Sequence, residues 1–215
     1  MGAILVGAIL MASMVVAVPR VAGTTKGAPS RLFDFVSKSE PLWRSVNDGV
    51  MGGVSKGAVS RSKGVLTFAG QVKLENNGGF ASTRSDTITN ASSAQLVDRS
   101  AFAIRVRGDG STYQFTVTAD DSWFWAEITP PKTTTAKGAS SKGASSKITS
   151  SKITSAKDQW TVISIPFSSL LPKTRFGEPI DGQSFDRQTV QSIGLLIANK
   201  RAEQFSIDVD WIEVR

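Results

Sequence analysis

Residues 205–211 read FSIDVDW: Phe205, Ile207, Val209 and Trp211 alternate with Ser206, Asp208 and Asp210. A strand points successive side chains to opposite faces, so this run predicts a half-buried antiparallel strand with one apolar and one polar face. The same period of two recurs upstream. Phe102, Ile104 and Val106 alternate with Ala103, Arg105 and Arg107, and Tyr113, Phe115 and Val117 with Gln114, Thr116 and Thr118. Val65–Ala69, Gln71–Glu75, Trp123–Ile128, Gln159–Ile165 and Val190–Ala198 supply further strand candidates. Arg107–Ser111 (RGDGS) has the composition of a hairpin turn between two of them. No long stretch repeats every 3.6 residues; a turn or two of helix is expected around Phe167–Leu171 and Phe185–Val190. The predicted fold is an all-β sandwich.

Two segments stand outside this pattern. Met1–Pro19 carries no charged side chain and reads as a signal-peptide core or short membrane anchor. Residues 20–31 read as a linker, and the sandwich domain is expected over 32–215. Within it, residues 132–157 repeat every five residues (KTTTA, KGASS, KGASS, KITSS, KITSA, then Lys157), a period that fits neither helix nor strand. So polar a composition cannot bury a core, and the segment is expected to be a solvated, disordered hairpin loop. Its lysines give it a second reading, as a tether to an anionic membrane surface or an acidic partner.

The charge of +7 comes mostly from this insertion. Removing its six lysines leaves 19 basic residues against 18 acidic ones, so the body has no surplus of positive charge for nucleic acid. The chain has no His and no Cys, which removes the commonest general base, thiol chemistry and the usual zinc ligands. An enzyme would have to run on carboxylates, Lys or Tyr, or on an oxygen-ligated metal. Asp208 with Asp210 and Asp120 with Asp121 are acidic pairs, but outward acids on a strand are ordinarily its solvated face. Gly52–Gly57 has phosphate-loop spacing without the Lys and hydroxyl, and Gly108-Asp109-Gly110 precedes a strand rather than a helix, so both nucleotide readings fail. A calcium site using Asp48 has no motif behind it. No catalytic residue, metal or cofactor is expected. Trp123 and Trp125 share one face of a strand with Phe124 opposite. Either that strand is covered on both sides, or the tryptophans face outward, where such pairs can stack on sugar rings. Asn90-Ala91-Ser92 is a glycosylation acceptor only on a eukaryotic secretory route.

WRSVNDGVMGGVSKG, residues 43–57, fits no regular element, and its glycines suggest a backbone that takes φ > 0 or passes close to something. Trp43, Asn47-Asp48-Gly49, Met51-Gly52-Gly53 and Ser55 resemble the leading signature of the complex I intermediate-associated protein 30 family. The resemblance continues through Phe68, Gly70, Leu74, Asn77-Gly78-Gly79-Phe80-Ala81-Ser82 and Arg84. It resumes at Gly108-Asp109-Gly110 with Tyr113, Trp160, Pro166-Phe167, Ile193-Gly194-Leu195, Lys200 and Phe205. It implies a jelly-roll sandwich similar to galactose-binding domains, and a non-enzymatic assembly factor or chaperone-like module whose clients are subunits of respiratory or other membrane complexes. The family offers no catalytic residue to carry over, and its compartments would be the mitochondrion or plastid. The N-terminal segment instead suggests an exported or membrane-associated protein. The chain departs from the pattern in the basic insertion, in lacking a mitochondrial presequence, and at Glu203-Gln204, where a Gly usually precedes Phe205.

The expected roles follow. Gly49, Gly52 and Gly53 let a covering loop cross the end of the sandwich, Trp43 and Met51 pack beneath it, and Asn47 and Asp48 make local turn hydrogen bonds. A protein-binding surface at that end would comprise Asn47, Asp48, Asn76, Asn77 and Arg84. The alternative function is a carbohydrate-binding sandwich.

Overall fold

A computed structural model describes residues 28–88, 94–132 and 159–215. Met1–Pro19, most of the linker, the glycosylation motif and nearly all of the lysine repeat lie outside the described residues. Twelve strands follow in chain order. They are β1 (Ser30–Phe33), β2 (Trp43–Asn47), β3 (Lys56–Ser62), β4 (Val65–Val72), β5 (Ala81–Ser85) and β6 (Ala101–Gly108). Then come β7 (Tyr113–Ala119), β8 (Ser122–Ile128), β9 (Thr161–Pro166), β10 (Leu171–Lys173), β11 (Val190–Ile197) and β12 (Glu203–Val214). Sheet A runs β3-β4-β12-β6-β9, with β1 also paired to β12; sheet B runs β10-β8-β7-β11-β5-β2. Every strand pair is antiparallel. The result is the expected jelly-roll sandwich.

The inward side chains of the two sheets meet in one core. Phe102, Ile104 and Val106 of β6 and Phe205, Ile207 and Val209 of β12 face Phe115, Val117, Ile193 and Leu195 of sheet B, all fully or almost fully buried. The Phe102 ring lies 5.3 Å from Phe115 and 5.0 Å from Phe167, the offset contacts that aromatic quadrupoles favour. The helical turns appear as short 3-10 turns at Phe167–Ser169 and Arg187–Thr189.

Several sequence expectations are corrected here. Val65–Ala69 and Gln71–Glu75 form the single strand β4; Gly70 lies mid-strand because any side chain there would run into the Lys56 carbonyl of β3. Residues 30 and 31 belong to β1, not to a linker. Arg107–Ser111 is no hairpin. β6 lies in sheet A and β7 in sheet B, so this turn is a corner that carries the chain between sheets. There the Asp109 carboxylate accepts from Ser111 N–H (2.8 Å), Ser206 N–H (2.7 Å) and the buried Tyr113 hydroxyl (3.1 Å). Burial, then the neighbouring Asp109 charge, push the Tyr113 phenol far above its usual range. The strands flanking the lysine insertion, β8 and β9, likewise lie in different sheets, so it does not close a hairpin. The alternation in FSIDVDW breaks at a bulge between Val209 and Trp211. Trp211 is turned out of the core, and Ile212 and Val214 take the inward positions.

The outer face of sheet A is closed by charge. Asp208 accepts from Arg107 (2.8 Å) and Thr67 (2.6 Å), Asp210 pairs with Arg105, and Glu213 pairs with Arg215 (2.7 Å) and Arg31 (3.5 Å). The pair Asp120-Asp121 is the two-residue turn between β7 and β8, both residues at positive φ. Both residues of that turn are exposed.

Candidate functional site: a groove on the outer face of sheet B

The outer face of sheet B is concave and holds a groove of about 580 Å³. Antiparallel register builds its floor. Trp125 of β8 stands opposite Thr116 of β7, Thr116 opposite Gly194 of β11, and Gly194 opposite Arg84 of β5. A side chain at Gly194 would clash with the Thr83 carbonyl (2.6 Å) and the Thr116 hydroxyl (2.7 Å), so the centre of the floor stays low. The Arg84 guanidinium stacks over the Trp123 ring, 4.5 Å from its centroid.

One wall rests on Asp48. This carboxylate is completely buried and is ringed by donors: Ser55 N–H at 2.9 Å, Ser55 hydroxyl at 2.5 Å, Gly79 N–H at 2.7 Å and Phe80 N–H at 3.4 Å. Burial raises its pKa, but these hydrogen bonds outweigh burial and hold the carboxyl below its ordinary value. A Cβ at Gly53 or Gly78 would collide with the Asp48 side chain, which explains both glycines by close approach. Gly52 is a glycine for the other reason, φ 88° where the 3-10 turn Asp48–Met51 ends. Asp48 thus ties the 48–55 loop to the 73–80 loop, and these present Val50, Met51, Leu74 and Asn77 to the groove.

The opposite wall is the 173–178 turn. Thr174 N–H donates to the Glu178 carbonyl (2.7 Å) and Gly177 N–H to the Thr174 carbonyl (2.9 Å). Gly177, at φ 92°, lies against the Trp125 indole, where a Cβ would be 3.0 Å from the ring. The Lys173 ammonium is 5.2 Å from the same ring's centroid, and Phe176 projects from the turn 63% exposed. The Trp125 indole N–H is buried with no hydrogen-bond partner.

The expected site residues divide. Arg84 and Asn77 line the groove, and Asn76 is exposed beside it at positive φ. Asp48 has no surface to offer a partner, so its place on a binding surface is corrected: it builds the wall from inside. Asn47 is half-buried and makes no local turn bond. It donates to the Gly57 carbonyl (3.0 Å) and accepts from Gly57 N–H (3.2 Å), joining β2 to β3. Trp43 packs edge-on against Phe33 and Phe35, at 5.4 and 5.9 Å, at the end of β2 away from the loop it was expected to lie beneath. Met51 does not pack beneath the loop; it is 52% exposed on the groove rim. At Gly49 nothing demands a glycine: its Cβ would meet open space. Sequence reasoning missed Lys173, Arg175 and Phe176, although KTRFG between strand candidates was a visible basic-aromatic cluster. Among the described residues no group of three or more acidic side chains could hold a metal, and no helix is long and apolar enough to cross a membrane.

The two-sheet antiparallel sandwich is similar in fold to solved carbohydrate-binding modules. The chain superposes on a family 11 carbohydrate-binding module of a cellulosomal cellulase of Clostridium thermocellum with a TM-score of 0.54 at 15% identity, covering 87% of this chain and 94% of that one. The same module in complex with a β-1,3-1,4-mixed-linked tetrasaccharide gives 0.51 at 16% identity, with 86% and 94% covered. An agarase gives 0.52 at 10% identity, covering 87% of this chain and 24% of that chain. No curated protein sequence matches. The family model for complex I intermediate-associated protein 30 (CIA30) matches residues 33–209, most of the chain. The chain belongs to that family.

Proposed function

We propose that the chain is a non-enzymatic, chaperone-like assembly factor that holds a segment of a client protein in the sheet B groove. Its family supports a role beside subunits of a respiratory or other membrane complex. The observation that carries the reading is the groove's chemistry. Its rim is made of exposed Val50, Met51, Leu74 and Phe176, mobile or compact apolar groups of the kind that adapt to polypeptide. Of its two indoles, by contrast, Trp125 is buried and Trp123 is half-buried with a cation over its ring. Arg84 lies over Trp123, while Gly177 and Lys173 lie against Trp125.

That covering separates the two binding readings. A carbohydrate-binding module needs a bare aromatic face on which a sugar ring can stack. The Trp pair in a groove favours that alternative, and its covered faces count against it. The test places a photo-crosslinking residue at Phe176 in the groove and, as control, at Ser60 on the outer face of sheet A. Crosslinks to a defined polypeptide segment from position 176 and not from 60 are expected. Saturable binding on a glycan array with no polypeptide captured would overturn the assembly-factor reading. Met1–Pro19 and the lysine repeat support action at a membrane. If so, deleting residues 133–157 abolishes salt-sensitive binding to anionic vesicles.

A further inference from the structure

We infer that the client segment held in this groove is acidic, with a carboxylate bound at Arg84 and Arg175. This deepens the proposed function and rests on it. The groove is lined by four cations, Arg84, Lys173, Arg175 and Lys200, against one acid, Glu178. Among the described residues none of the four has a carboxylate partner. That is unusual company for a protein whose folded body is close to neutral, because the arginines of sheet A's outer face are paired.

Arg84 is the centre of the argument. It is half-buried, among the described residues its face rests on Trp123, and stacking by the face leaves the in-plane N–H groups free to donate. A carboxylate fits that fork bidentately. Burial and the charge of Arg175 both disfavour the guanidinium and hold its pKa below the ordinary value, a tension that a bound anion relieves. Around this fork the rim offers Met51, Leu74 and Phe176 to apolar side chains. The complementary ligand is an extended peptide in which Asp or Glu recurs among apolar residues.

The probe is a pair of synthetic peptides alternating apolar residues with Glu in one and Gln in the other, titrated into the full chain and followed by fluorescence anisotropy. The Glu peptide is expected to bind at least about tenfold tighter than the Gln peptide, and added salt should narrow that gap. R84E and the exposed-site variant R175E should each weaken the Glu peptide by about tenfold or more, with melting curves recorded on the same samples. F176A should weaken both peptides alike. If the two peptides bind equally and F176A weakens both, the acidic inference fails while the client-protein reading stands. Unchanged Glu-peptide binding in folded R84E and R175E also overturns it. If neither peptide binds and the polyuronate alginate does, the occupant is an acidic glycan, and both the inference and the reading beneath it fail.

Discussion

The two outer faces of the sandwich are built from the same side chains to opposite ends. On sheet A, Arg105 and Arg107 flank Trp160, with ring distances of 5.2 and 4.6 Å, and each also meets a carboxylate of β12. On sheet B, Arg84 stacks on Trp123 at nearly the same distance and meets none among the described residues. The difference lies in the neighbouring strands. β12 alternates acids outward beside β6, whereas β11 offers Gly194 and Leu196 beside β5. One face is complete within the fold. On the other, the groove's cations meet no carboxylate among the described residues. Charges that the fold has already satisfied should cost stability when removed, and charges left open should not.

The largest effect belongs to the most enclosed charge. Asp48→Asn keeps the size but turns an amide N–H₂ toward donors that expect an oxygen, and about 3 kcal/mol of stability should be lost. The pH dependence has a definite sign. A carboxyl held below its ordinary value when folded stabilises the protein above its unfolded pKa of about 3.9, and that stability disappears as pH falls through the lower folded value. Urea midpoints at neutral pH and in acid should therefore show wild type and D48N converging on acidification. A constant gap would mean that the carboxylate's charge contributes nothing.

Gly53→Ala comes next. Its new methyl group lands on the Asp48 side chain, and displacing that carboxylate from its donors should cost about 2 kcal/mol. Gly49→Ala, where the Cβ meets open space, should be near neutral under the same melting assay. Equal losses at 49 and 53 would remove the close-approach explanation of the glycine pattern. On sheet A, Asp208→Asn weakens a partly exposed pair with Arg107 and the bond from Thr67, so about 1 kcal/mol is expected.

How much of this was legible in the sequence follows from what repeats locally. Strands with strict alternation, such as β6 and β7, could be read because their core faces are uniformly apolar. β2 (WRSVN) and β5 (ASTRS) could not, since polar residues on both faces conceal the period. Sheet membership was illegible for a physical reason: a corner between sheets uses the same Gly and Asp residues as a hairpin, as Gly108–Gly110 does. The loop signature announced that glycines were needed at 53 and 78 without saying that Asp48 was the object they approach. The groove was the least legible part. Arg84 and Trp123 are neighbours only through the register β5-β11-β7-β8, which no local pattern encodes. For the same reason, Arg84 entered the sequence reading as a motif residue and Trp123 as half of an indole pair.

Arg84→Met is the smallest and most discriminating change. It keeps an unbranched side chain over Trp123 and removes a charge that is half-buried, stacked and repelled by Arg175. If the fold had satisfied this charge, as it does on sheet A, losing it would lower the melting temperature. The open-face reading predicts the reverse. Removing desolvation and repulsion should offset the lost cation–π contact, so stability should stay within about 0.5 kcal/mol of wild type, with any shift upward. Denaturant melts of R84M and wild type at low and high salt measure this. Any stabilisation should shrink in salt, because screening weakens the Arg84–Arg175 repulsion that the variant removes. A loss comparable with D208N would show Arg84 to be a structural residue, and the contrast between the two faces would vanish. A stable variant that no longer binds the Glu peptide would place the cost of Arg84 in folding and its use in recognition.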